Sequence, residues 1–185
     1  IPMKQFGAEI FVADLIALST LRELGPLMTA IVMAGRTSSA FAAELGTMKV
    51  NEEVDALTTM GLDPVRFLVL TRVIATLFMM PLITIFANLF GILGGSVVLL
   101  SMGYPLNTYI DRIIQSADYV DLLGGLLKSL AFGLIVAGIG CSHGLRTRTG
   151  ASAVGDSTTK AVVSGIIMII LTDGLFSVVY FYLGI

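Results

Sequence analysis

Residues 73–100 form a run of 28 positions without one Asp, Glu, Lys or Arg, entered directly from Arg72. As an α-helix such a run reaches about 42 Å, enough to cross a hydrocarbon core of roughly 30 Å with some tilt. A soluble domain could hold it only beneath a strongly polar surface, and the rest of the chain does not supply one. Charged residues make up 13% and hydrophobic residues 56%, and with the 20 glycines about two thirds of the chain is apolar. Mean hydropathy is +0.94. The chain reads as an integral membrane protein.

Two further runs have the required length: residues 122–141, interrupted by Lys128, and residues 161–185, with Asp173 near the middle. Residues 15–45 are marginal, because an apolar background holds Arg22, Glu23, Pro26, Arg36 and Glu44. Ile10, Leu15, Leu18, Leu21 and Leu24 recur at helical spacing, so a helix is expected there with its polar stripe turned toward protein. The fold class that follows is all-α, a polytopic membrane bundle of about four crossings in a single domain over residues 1–185. Residues 46–72 carry Lys49, Arg66 and Arg72, and residues 142–160 carry Arg146, Arg148 and Lys160, whereas residues 101–121 set Arg112 against Asp111, Asp118 and Asp121. Short-loop Lys and Arg mark the cytoplasmic side, so the first two segments belong inside and the third outside. Residue 1 and Ile185 then lie outside, and either a further N-terminal span or a translocated start is expected upstream.

The segment 44–66 is the expected docking element. Asn51 reads as an N-cap, Glu52, Glu53 and Asp55 load the first turn, and Gly61 ahead of Asp63-Pro64 is a stop. Val50, Val54, Leu57 and Met60 make an apolar stripe on this short helix. It lacks the Lys/Arg face of a lipid-surface helix, so the stripe is expected to enter a partner's groove, the alternative being packing on its own bundle. Small residues cluster at Thr37, Ser38, Ser39, Ala40, Ala42 and Ala43 and again at Gly91, Gly94 and Gly95, where close helix packing within the chain is expected; Pro81 marks a bend.

Reaction chemistry is not in evidence. One cysteine, Cys141, and one histidine, His143, exclude a disulfide framework and a Cys/His zinc site built within this chain. No GxxxxGK[ST] phosphate cradle occurs, so ATP must be hydrolysed by another subunit. A net charge of −2 without a basic run gives no footprint for nucleic acid. What remains is ionisable groups expected at membrane depth, namely Glu44, Lys128 and Asp173, with Arg22 and Glu23 in the marginal span. Lys128 and Asp173 have opposite sign, yet Asp173 is expected deeper, so pairing requires the lysine to reach inward. They serve either a structural bridge or a polar translocation cavity. An ion-coupled transporter relaying protons through Glu44, Lys128 and Asp173 is the alternative function, and it predicts internal repeats that are not evident.

The run Leu21-Arg22-Glu23-Leu24-Gly25-Pro26-Leu27, then Ala34-Gly35-Arg36, Ala43-Glu44-Leu45-Gly46-Thr47-Met48, Glu53, Asp55-Ala56-Leu57 and Met60-Gly61 resembles the MlaE-type permeases of bacterial lipid-transport ABC systems. Pro81-Leu82, Gly91 through Gly95, Gly150, Val154-Gly155, Thr158-Thr159 and Ala161-Val162-Val163 continue the resemblance over nearly the whole chain. It implies a multi-pass subunit of the bacterial inner membrane, working as a homodimer with a cytoplasmic ABC ATPase that uses ATP and Mg. It also implies a STAS-domain protein, a periplasmic MCE-domain hexamer, and glycerophospholipid as substrate in the upkeep of outer-membrane asymmetry. The coupling region falls on Glu44, Met48, Asn51, Glu52, Glu53, Val54, Asp55, Leu57 and Met60, and the internal charges on Glu44, Lys128 and Asp173. A lipid pocket between protomers would draw on Leu18, Leu21, Leu24 and Leu27. No cofactor is implied in this chain. The family's first crossing, ahead of Phe6, has no counterpart here.

Overall fold

The computed structural model describes residues 11–183 apart from Met102 and Thr149; Ile10 and Ile185 lie outside the described residues. All regular structure among them is helical. Helix α1 runs Phe11–Val50, α2 Glu53–Thr59, α3 Val65–Ser101, α4 Leu106–Ser116, α5 Tyr119–Leu145 and α6 Ala151–Leu183. Of these, α1, α3, α5 and α6 are long and apolar enough to cross a membrane. The marginal segment is thus one continuous helix of 40 residues, longer than its hydropathy alone suggests.

Helix α1 accommodates its awkward sequence with two π-helical turns, Thr20–Leu24 and Ala34–Ser38. Pro26 has no amide to donate, and just before it Gly25 N–H reaches back five residues to the Thr20 carbonyl. Such turns rotate the faces that follow, so the leucine spacing does not mark one stripe: Leu21 is buried and Leu24 exposed.

Helix α5 is the hub, packed on α1, α3 and α6. Its glycines allow that closeness. A methyl added at Gly140 would lie 2.7 Å from the Ser38 carbonyl, and one at Gly144 would lie 3.1 Å from that of Phe41. Ser38 and Ala42 of α1 are therefore consumed inside the chain, as expected, while Ala40 stays exposed, and Gly91 and Gly95 of α3 likewise face Thr20 and Ile16 of α1. Ala30, Ala34, Met80, Phe132, Val136 and Ile169 form the central core.

The 101–121 connection holds α4, a helix that the loop reading did not anticipate. Its apolar residues follow i, i+3, i+4, i+7, with Tyr109 buried and donating to the Ile92 carbonyl at 2.6 Å. Burial pushes the Tyr109 phenol above its ordinary value. Asp14 ties α1 to α4 by accepting from Ser116 Oγ at 2.6 Å and facing Arg112 at 3.7 Å. The next helix opens with a capping box in which Asp118 accepts from the Tyr119 amide and Asp121 from that of Asp118.

Candidate functional site

Two polar regions lie at opposite levels of the bundle. The first is built on Lys128, nine residues into α5. Its ammonium is fully buried and donates to Glu23 Oε2 at 2.6 Å and to Asp173 Oδ1 at 3.0 Å. Three helices thereby meet in one charge cluster. Tyr180 closes one side: Lys128 Nζ and Arg22 Cζ stand 5.5 and 5.6 Å from its ring centre, and its hydroxyl donates to the Gly124 carbonyl. Arg22 in turn faces Asp121 at 3.6 Å, linking the cluster to the cap of α5.

This geometry corrects the expected depths. Because α6 begins at Ala151 rather than near 161, Asp173 lies 22 residues into that helix. Lys128 is nine residues from the start of the antiparallel α5, so the two groups are level and the lysine need not reach inward. Glu23 is the partner that sequence spacing did not assign. The signal was present, since an acidic residue three positions ahead of Pro26 sits in the π turn that aims it at the bundle.

Glu44 does not join this cluster. Gly144 of α5 packs at Phe41 and Leu45, so Glu44 is level with the end of α5, while Lys128 lies 16 residues earlier, about 24 Å along the axis. Glu44 instead accepts from Arg72 at 2.9 Å, with its side chain more than half exposed. Glu44 therefore lies level with the last residues of α5, apart from the Lys128 cluster. A relay through Glu44, Lys128 and Asp173 would have to bridge about 24 Å between the two polar regions. Arg36, also on α1, is exposed.

The second region is the 44–66 segment. Asn51 is the C-cap of α1 rather than the N-cap of α2; its amide donates to the Thr47 carbonyl. Glu52 takes the N-cap position with φ of 62°, a left-handed conformation that lets the chain reverse between the helices. Lys49 donates to Asp55 Oδ1 at 2.6 Å across that reversal. At the far end Gly61, with φ of 79°, ends α2 as expected, the Leu62 amide donating to the Leu57 carbonyl.

The apolar stripe is divided. Val54 is buried among Leu45, Leu68 and Cys141, with Met48 and Leu57 packed beside them, so this part of the stripe lies on its own bundle and not in a partner's groove. The physical reason is that α1 and α3 leave an apolar notch that a seven-residue helix fills. Glu53, Asp55, Met60 and Leu62 remain exposed and form the outward face. Of the leucines expected at a lipid pocket, Leu21 is buried, Leu27 packs on the central core, Leu18 is half-buried and Leu24 is exposed.

Sequence comparison adds a family. The family described as Permease MlaE matches residues 1–179. A probable ABC transporter permease protein of Synechocystis is 43% identical over 170 residues, covering 91% of this chain and 64% of the relative. The corresponding Rickettsia typhi protein RT0041 is 37% identical over 178 residues, covering 96% and 69%. The intermembrane phospholipid transport system permease protein MlaE of Haemophilus influenzae is 33% identical over 181 residues, covering 97% and 69%. With a family match over almost its entire length and a helical bundle of four potential crossings, this chain belongs to the MlaE permease family.

Proposed function

We propose that the chain is the permease subunit of an ABC transporter that moves glycerophospholipid between the bacterial inner membrane and a periplasmic MCE carrier. The observation that carries this reading is the family match, joined to a Haemophilus relative named for intermembrane phospholipid transport. The geometry supplies a route for coupling. One helix, α1, bears Glu44 at the end that the Lys/Arg asymmetry assigns to the cytoplasm and Glu23 about six turns away in the charge cluster. Two π turns interrupt the stretch around and between them, and such turns are places where a helix yields. A partner ATPase using ATP and Mg presses on the outward face of Glu53, Asp55, Met60 and Leu62, and α1 carries the displacement to Glu23, Lys128 and Asp173.

A second copy of the chain completes the cavity. Arg36 is exposed beside the small residues Gly35 and Ala40, and such a face suits an apposed helix better than lipid tails. A STAS-domain protein and a periplasmic MCE-domain hexamer complete the assembly in this reading, which then serves outer-membrane asymmetry. Native mass spectrometry of the full-length protein, followed by lipid extraction, tests it. Co-purifying ATPase, MCE protein and glycerophospholipid are expected; a chain that arrives alone and lipid-free contradicts the reading.

A further inference from the structure

Between the end of α5 and the first turns of α6 lies a cavity of about 180 Å³ lined by His143, Arg146, Arg148, Asp156, Ser157 and Lys160. It is distant from the Lys128 cluster and takes no part in the coupling route. Its walls are pinned. Thr147, buried against Gly46 of α1, donates to the His143 carbonyl at 3.2 Å and shares a hydrogen bond of 2.9 Å with Ser157 Oγ.

Its charge is out of balance. Lys160 donates to Asp156 at 2.6 Å, which accounts for the only carboxylate in the lining. Among the described residues no carboxylate pairs with Arg146 or Arg148. Two guanidinium groups without acidic partners, beside the opening turn of α6, suit a phosphate group, which takes forked donors from arginine and is favoured at a helix N-terminus. The surroundings indicate which phosphate. Beyond Lys160, at helical spacing along α6, the exposed side chains are Val163, Ile167 and Ile170, an apolar strip leading from the cavity into the membrane. Basic pockets between membrane helices at the cytoplasmic level bind anionic head groups.

We infer that this cavity holds the phosphodiester of an anionic glycerophospholipid of the cytoplasmic leaflet, its acyl chains lying along Val163, Ile167 and Ile170. The lipid is resident, not transported: it fixes the α5–α6 junction against α1 at Gly46. This inference rests only on the chain's lying in a membrane with its basic end inward, so it can fail while the permease reading stands.

The test uses the full-length protein reconstituted in phosphatidylcholine vesicles containing a minor fraction of phosphatidylglycerol, re-extracted in detergent, with retained lipid quantified by mass spectrometry. Phosphatidylglycerol should be enriched roughly thirtyfold over the vesicle ratio, in keeping with two cationic contacts. The doubly substituted Arg146→Gln/Arg148→Gln protein should return to the vesicle ratio, with an unchanged elution volume and thermal midpoint in pure phosphatidylcholine. If the double variant does not fold, Lys160→Gln, at an exposed position, should reduce the enrichment. Equal retention by parent and folded variant overturns the inference. So does displacement of the lipid by millimolar inorganic phosphate, which would make the ligand a soluble anion. Loss of a co-purifying protein from the variant with the lipid ratio unchanged overturns it in favour of an acidic protein partner.

Discussion

Lys128 Nζ lies 2.6 Å from Glu23 Oε2, and the same ammonium donates to Asp173 at 3.0 Å, so one fully buried cation holds carboxylates from two other helices. The lysine cannot be removed without leaving two carboxylates unpaired in the bundle, whereas removing either carboxylate leaves one ion pair. Lys128→Met leaves two carboxylates facing each other and should lower stability by about 3–5 kcal/mol, whereas Glu23→Gln/Lys128→Met/Asp173→Asn should recover most of that loss. Thermal unfolding of the three proteins in one detergent checks it; a triple variant no more stable than Lys128→Met would show that the cluster is not a self-contained unit.

The division of the α2 stripe makes a second contrast. Val54 is 6% exposed and packed on Leu45 and Leu68, while Met60 is 66% exposed. Val54→Asp should therefore destabilise the protein itself by about 2–5 kcal/mol, through loss of burial and an unpaired carboxylate. Met60→Asp should leave the thermal midpoint unchanged and weaken binding of the ATPase. Normal ATPase binding by Met60→Asp, measured by co-purification, would remove Met60 from the docking face.

Glycines along α5 give a third. Gly140 faces the Ser38 backbone at a distance that no side chain can share, whereas nothing lies within 4 Å of a methyl added at Gly138. Gly140→Val should cost at least about 2–3 kcal/mol by prising α5 from α1, and Gly138→Ala should be neutral or slightly stabilising. Denaturation midpoints that did not separate the two would place the α1–α5 contact elsewhere.

The Glu44–Arg72 pair is short, and its carboxylate is more than half exposed. Screening limits its stabilising effect to about 0–1 kcal/mol, so Glu44→Gln should leave the melting temperature within a few degrees. Any larger effect of this variant should appear in ATPase coupling. A large fall in melting temperature would assign Glu44 a structural role.

The spans were legible in the sequence because long uncharged runs have few alternatives, and Lys128 and Asp173 stood out as opposite charges within two of them. Glu23 was not assigned to them because the pairing depends on the π turn ahead of Pro26, which changes the helical register that periodicity assumes. Glu44 was grouped with Lys128 and Asp173 for a related reason: hydropathy does not say at which level of the bundle each stretch of a 40-residue helix lies. Asn51 satisfied the composition of an N-cap, but the left-handed Glu52 moved the cap by one residue. Helix α4 escaped notice because its charge balance was read and its apolar period was not.

The most direct test of the account is phospholipid movement by the full-length protein reconstituted with its ATPase in vesicles carrying a labelled glycerophospholipid. The account predicts transfer that requires ATP and Mg and falls sharply with Met60→Asp at an unchanged thermal midpoint. Lipid that stays in place while ATP is hydrolysed, or a proton flux that needs no nucleotide, would contradict it.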